Sequence, residues 1–143
     1  MKYFDILMLV LIAFFIFVIY FSYSKKTILP DVVLKLDGGT FDTEVNVIIT
    51  EDTSIARKFV TYHLNVIATS EDFNGEGATF VDDDNRIAIW LQNANNKGVV
   101  QHELLHATVS IMLWAGIPFS NATEESYAYQ LQYLTNQFNS KIK

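Results

Sequence analysis

VVQHELLHATVSIMLWA, residues 99–115, is predicted to be one helix. Gly116 and Pro118 follow it, and both residue types are typical of a helix end. His102, Glu103 and His106 place titratable groups in the middle of the stretch. Around them, apolar residues predict that the helix is buried: Val99, Val100, Leu104, Leu105, Val109 and Met112. Because burying titratable groups without partners is costly, the pattern indicates that they have one.

His102 and His106 share one face of this helix, because residues four apart are neighbours on a helix surface. Two imidazoles placed in this way reach one metal ion. Glu103 follows the first histidine and lies beside the metal, where a carboxylate takes a proton from a metal-bound water and passes it to a leaving amine. The spacing is the HExxH pattern, and it predicts a Zn2+ site with His102 and His106 as ligands and Glu103 as general base.

A second helix is expected to follow closely. It begins near residues 121–123 and ends near residue 138, and Asn121 with Glu124 resembles a capping box at its start. A short turn over residues 116–120 folds this helix back antiparallel to the first. Its N-terminal half is therefore expected to lie across the metal.

A hydrolytic zinc site needs a third protein ligand, and the second helix offers Glu124 and Glu125. Glu125 shares its face with Ala128, whose small side chain lets two helices approach closely, and with Tyr129, whose hydroxyl is placed to orient a ligand histidine. Glu124 shares its face with the bulkier Tyr127. Glu125 is the predicted ligand and Glu124 the alternative.

These two helices resemble those of the gluzincin metallopeptidases, in which HExxH is followed by a helix that carries a glutamate ligand. Small phage and bacterial HExxH proteins share further positions with the chain, namely Ala107, Gly116, Ile117 and residues 124–134. The resemblance covers about residues 86–136, including a β-hairpin before the active helix. Many gluzincins have Asp where this chain has Tyr129.

The resemblance implies a zincin-like domain that cleaves peptide bonds in peptides or proteins. It implies that His102, His106 and Glu125 bind zinc and that Glu103 is the general base. It also implies that the strand before the active helix, residues 86–91, lines the cleft and pairs with an extended substrate. Trp90 and the polar residues 92–96 are then expected to border the groove.

The rest of the chain predicts an α+β domain. Residues 32–36 and 44–50 have the composition and alternation of strands, and residues 52–66 have apolar residues at helical spacing. Residues 73–91 read as a β-hairpin around the turn at residues 82–85. The aspartates of that turn are interpreted as turn residues in preference to a calcium site.

Several isolated side chains are assigned structural roles. His63 has no companion and is expected at the surface or at its boundary with the core. Large aromatic residues are more often core than ligand contacts, and five are assigned to the core: Phe59, Tyr62, Trp114, Tyr127 and Tyr133.

The N-terminus carries an almost uninterrupted apolar run, residues 6–23. As a helix it would be about 27 Å long, close to the thickness of a bilayer's hydrocarbon core. We therefore predict that residues 1–26 form a single transmembrane anchor in a lipid bilayer and that residues 27–143 form the domain. A cleaved signal peptide is the rival interpretation, although no clear cleavage site is visible. Lys2, Lys25 and Lys26 do not decide on which side the domain lies.

Charge and composition exclude other classes. The net charge is -6, and no cluster of Lys and Arg is present, so a nucleic-acid partner is not expected. The absence of cysteine excludes disulfides, thiolate zinc sites and cysteine nucleophiles. Three functions remain: a zinc endopeptidase, a zinc amidase for non-protein substrates, and a zinc-stabilised binding or structural module without turnover.

Overall fold

A computed structural model describes residues 32–142, which form a small α+β domain, as predicted. These residues contain four strands and three α-helices. The strands are β1 (Val32–Asp37), β2 (Glu44–Ile49), β3 (Gly77–Val81) and β4 (Ile87–Leu91), and the helices are α1 (Thr53–Leu64), α2 (Lys97–Trp114) and α3 (Glu124–Lys141).

The strands form one mixed sheet in the order β1-β2-β4-β3. Strand β2 pairs antiparallel with β1 and parallel with β4, and the predicted hairpin is formed by β3 and β4. At the hairpin turn, an Asp82 carboxylate oxygen accepts hydrogen bonds from the backbone N–H groups of Asp84 and Arg86, at 3.0 and 2.8 Å. This aspartate therefore acts as a turn residue.

Strand β4 lies inside the sheet, and β3 lies at its edge. All five residues of β4 are buried. Trp90 is 1% exposed, and its indole N–H donates to the carbonyl oxygen of Thr50 at 2.9 Å. The prediction that residues 86–91 line the cleft and that Trp90 borders it was wrong, because β4 has a neighbouring strand on each side. Among residues 32–142, the strand next to α2 that has a neighbour on one side only is β3.

Two hydrophobic clusters cover the two faces of the sheet. On one face, Leu36, Val45, Val47, Ile87, Ile89 and Leu91 pack against α2 and α3. On the other face, Ile48, Ala88 and Trp90 pack against α1 and Phe73. The side chains of β4 alternate between the two clusters, as the period of a strand requires.

Helix α1 begins as predicted but buries a different stripe. Oδ1 of the capping residue, Asp52, accepts hydrogen bonds from the backbone N–H groups that open the helix. The buried positions are Ala56, Val60 and Leu64. Tyr62, predicted to be core, is 85% exposed. The prediction assigned the large apolar residues of this helix to the buried side. In the structure, the small Ala56 lies against the sheet.

Helices α2 and α3 form the predicted antiparallel pair. The side chain of Gln101, near the start of α2, donates to the Thr135 hydroxyl in the second half of α3 at 3.2 Å. At the connection, the Tyr127 hydroxyl donates to the Ile117 carbonyl oxygen at 2.7 Å. The predicted capping box was wrong, because α3 has Thr123 at its N-cap and no side-chain cap bond. The Thr123 hydroxyl instead donates to the Pro118 carbonyl oxygen and ties the loop together.

Two more aromatic residues lie outside the core. Trp114 is 61% exposed at the end of α2, and Tyr133 is 42% exposed on α3, so both core assignments were wrong. Tyr127 is 4% exposed, as predicted. The predicted anchor, residues 1–26, lies outside the described residues. Between residues 32 and 142, none of the helices has the length and apolar character needed to cross a bilayer.

Leu104 and Leu105 offer a direct test of the orientation of α2. Leu104 is 1% exposed in the core, and its neighbour Leu105 is 45% exposed. We expect Leu104→Ala to lower the free energy of unfolding by about 2–5 kcal/mol. Leu105→Ala, the matched control, is expected to change it by less than about 1 kcal/mol. Denaturant unfolding of the two variants measures both values, and equal losses would contradict this orientation.

Candidate functional site

The two predicted ligand histidines lie side by side on α2. The Nε2 atoms of His102 and His106 are 3.1 Å apart, and the two rings meet edge to face. Two nitrogens bound to one tetrahedral zinc at about 2.0–2.1 Å would be separated by roughly 3.3–3.4 Å. The pair therefore fits one metal ion after a displacement of a few tenths of an ångström.

The three titratable groups of the motif differ in how far they are buried. His102 and His106 are exposed, whereas Glu103 is only 6% exposed. The expectation that the histidines are buried and need a partner for that reason was wrong, because their face of α2 points to solvent. Of the three groups, only Glu103 is buried and so needs a polar partner.

Glu103 is enclosed between α2 and the edge strand β3. Its Oε2 accepts a hydrogen bond from the Thr79 hydroxyl at 2.7 Å. Gly77, two residues earlier on the same face of β3, packs against the side chain: a Cβ at Gly77 would lie 3.0 Å from Cγ of Glu103 and 2.7 Å from Cγ1 of Val99. The lack of a side chain at Gly77 is thus what lets the glutamate fit beneath the strand.

An open cleft of about 350 Å³ adjoins this glutamate. Its walls are the start of β3 and the first turns of α2, and it is lined by Glu76, Gly77, Gly98, Val99, His102 and Glu103. Asn96 connects the two walls: its Oδ1 accepts from the N–H of Val99 as the N-cap of α2, and its amide N–H donates to Oε2 of Glu76 at 2.5 Å. The cleft thus brings His102 and Glu103 to one surface.

Glu125 lies in a different groove. It is exposed in the first turn of α3, in a depression of about 500 Å³ between α2 and α3 that Gln101, Ala128 and Tyr129 also line. Tyr129 is 67% exposed there. Glu124 is also exposed in this first turn. Within residues 32–142, no three His, Cys, Asp or Glu side chains are grouped closely enough to hold a metal ion.

The packing of α3 on α2 explains this separation. The contact between Gln101 and Thr135 shows how the antiparallel helices are aligned. At a rise of 1.5 Å per residue, Glu125 lies about 15 Å from Thr135 along the axis of α3. His106 lies only about 7.5 Å from Gln101 along the axis of α2, in the same direction. At 100° per residue, His102 also points about 100° away from the side of Gln101, which faces α3.

Sequence reasoning predicted His102, His106 and Glu103 as site residues but missed the residues of β3 that contact Glu103. Strand alternation in residues 77–81 puts Gly77 and Thr79 on one face, and that signal was available. It did not show which strand lies at the edge, nor which face of it meets α2. Both depend on pairing across the sheet.

Gly77→Ala tests the close approach of β3 to α2. The added methyl would overlap Val99 and Glu103, so we expect the free energy of unfolding to fall by about 1–3 kcal/mol. Gly75→Ala is the control, because its Cβ would meet only ordinary contacts, the nearest at 3.4 Å. We expect that change to cost less than about 0.5 kcal/mol. Denaturant unfolding gives both values, and a Gly77→Ala chain as stable as the control would refute the packing.

No protein-family model, curated protein or solved structure matches this chain. The likeness to the gluzincins therefore depends on the residues of α2 and α3.

Proposed function

We propose that this protein is a zinc-dependent metallopeptidase that hydrolyses peptide bonds, with His102 and His106 as metal ligands and Glu103 as the general base. The observation that carries the proposal is the placement of these side chains in sequence and in space. Two exposed imidazole nitrogens stand 3.1 Å apart, and a buried carboxylate follows the first of them on the same helix. HExxH chemistry requires this combination.

Each residue has a distinct task in this proposal. If zinc is bound, the chemistry that it would supply is a water with a pKa of about 7 and a polarised substrate carbonyl group. His102 and His106 would hold the ion through their imidazole rings. Glu103 takes the proton from the attacking water and delivers it to the leaving amine. Because Thr79 donates to Oε2, Oε1 is the oxygen assigned to this transfer.

The edge strand supports a peptide as the substrate. Strand β3 ends the sheet, so its outer backbone groups have no partner strand within residues 32–142. An extended peptide adds to such an edge through main-chain hydrogen bonds. Glu103 lies directly beneath β3, so a peptide bound there would pass close to the proposed base.

We further propose Glu125 as the third ligand and residues 1–26 as a membrane anchor. The resemblance of the second helix supports Glu125, and the apolar run supports the anchor. In the described arrangement Glu125 lies in its own groove, so its ligation requires the first turn of α3 to move toward His106 when metal binds. The separation of Glu125 from the histidines weighs against a hydrolytic zinc site, which needs three protein ligands, so a module without turnover is the second candidate.

Metal content and hydrolysis of a labelled unfolded casein by the full chain in mild detergent test the main proposal. We expect one zinc per chain. His106→Ala should remove it, because one imidazole is lost. Glu103→Gln should keep the metal but lower the rate of hydrolysis by about 10²–10⁴-fold, because the base is lost.

His63→Ala is the matched control, because this histidine lies on α1 against Phe59, with ring centroids 4.1 Å apart. It should retain both zinc and activity. A wild-type chain without stoichiometric zinc would refute the metal site. A chain that binds zinc and cleaves nothing, in the wild-type form as in Glu103→Gln, would favour the module without turnover.

Glu125→Ala and Glu124→Ala test the third ligand as a matched pair from one helix turn. Mutation of a residue that only hydrogen-bonds to a metal ligand weakens metal binding by up to about 100-fold. Loss of a direct ligand should therefore weaken zinc binding by at least that factor. We expect this for Glu125→Ala and unchanged affinity for Glu124→Ala, measured by competition with a zinc chelator. The reverse result would assign the ligand to Glu124, and two unchanged affinities would exclude both residues.

A further inference from the structure

On the face of strand β3 that meets α2, Gly77 and Thr79 both lie against Glu103. Gly77 and Thr79 share a face because strand side chains alternate. The Thr79 hydroxyl lies 2.7 Å from Oε2 of Glu103, and the Gly77 Cα leaves the space that Cγ and Oε1 of the same glutamate fill. Residues on the edge strand thus surround the side chain that the proposed function makes the general base.

We propose that Thr79 is a positioning residue: its hydroxyl holds the Glu103 carboxylate in the one orientation that leaves Oε1 for proton transfer. This inference rests on the proposed function for its catalytic consequence. The hold on Glu103 itself depends only on contacts between β3 and α2.

The hydroxyl has one proton and two acceptors within reach. Oε2 of Glu103 lies at 2.7 Å, and the backbone carbonyl oxygen of the same residue lies at 3.1 Å. A hydrogen bond from a hydroxyl to a carboxylate is short and stronger than one to a neutral acceptor. The proton therefore goes to Oε2, and the carbonyl contact is secondary.

This bond fixes a side chain that would otherwise choose among several rotamers. The backbone of Gly77 lies close to Cγ and Oε1 of the same side chain, so the glutamate has little room on that side. A base must stand within hydrogen-bond reach of the proton that it takes, and a misplacement of about 1 Å costs on the order of 100-fold in rate. Loss of the Thr79 hydroxyl should thus affect the chemical step rather than substrate binding.

Kinetics of the zinc-loaded full chain on labelled unfolded casein test whether Thr79 contributes to the chemical step. Thr79→Val keeps the shape of the side chain and removes the hydroxyl, so we expect kcat to fall by about 10- to 100-fold while KM changes by less than about twofold. Thr79→Ser should restore most of kcat. In a Glu103→Gln background, Thr79→Val should lower the residual rate no further, because the base that it positions is already absent.

Thr108→Val is the matched control. This threonine is also buried, and its hydroxyl donates to a main-chain carbonyl oxygen of α2, that of Leu104, at 2.9 Å. It should leave kcat unchanged. Wild-type kcat in Thr79→Val, or a rise in KM with kcat unchanged, would overturn the proposal.

A double-mutant cycle, measured by thermal unfolding of the metal-free full chain, tests the hydrogen bond from Thr79 to Glu103 without reference to activity. Thr79→Val should lower the melting temperature more in the wild-type chain than in a Glu103→Ala chain, because only the former loses the bond to Oε2. Equal losses in the two backgrounds would overturn the positioning role. Absence of hydrolysis in the wild-type chain would refute the proposed function, and the cycle would still decide whether Thr79 holds Glu103.

Discussion

Strand β4 is buried on both faces, and the arrangement of the other elements depends on this. Its side chains enter two clusters alternately, so each face of the sheet must be covered. Helix α1 covers one face, while α2 and α3 cover the other. Since β4 takes β2 as its parallel neighbour, its hairpin partner β3 is left at the edge. The connection from β4 to α2 is short, so α2 must return across the same sheet close to that edge.

The candidate site forms because α2 crosses the sheet beside β3. Asn96 caps α2, and its amide N–H donates to Oε2 of Glu76, the residue before β3, so the start of the helix is held beside that strand. One helix face then contacts the sheet and buries Glu103. His102, about 100° around the axis, points away to solvent. The same turn of helix thus supplies an enclosed carboxylate and an accessible imidazole.

Local patterns predicted most of the elements, because hydrophobic periodicity and turn residues act over a few positions. Residues 99–115 were predicted as the helix that the structure places at Lys97–Trp114, and the hairpin was also found. The predictions that were wrong concern features that depend on contacts between residues far apart in the sequence. The parallel pairing of β2 with β4 joins segments separated by the whole of α1 and β3, so Trp90 was placed at a groove instead of in the core. The alignment of α3 on α2 likewise puts Glu125 in a groove of its own, which residue spacing alone does not reveal.

Glu103 is the residue that stability alone does not explain. Its neighbours include Val99 and the backbone of Gly77, and burying a polar group in such a place is costly unless it is hydrogen-bonded. An apolar residue would fill the same space without that cost, as Leu104 and Ala107 do elsewhere on the buried side of α2. The Thr79 hydroxyl offsets part of the cost, yet it also fixes the direction of the carboxylate. The proposed function gives this placement a use: a carboxylate held by Thr79 on the sheet side of α2, next in sequence to an exposed imidazole, is positioned for the role of general base that we propose for it.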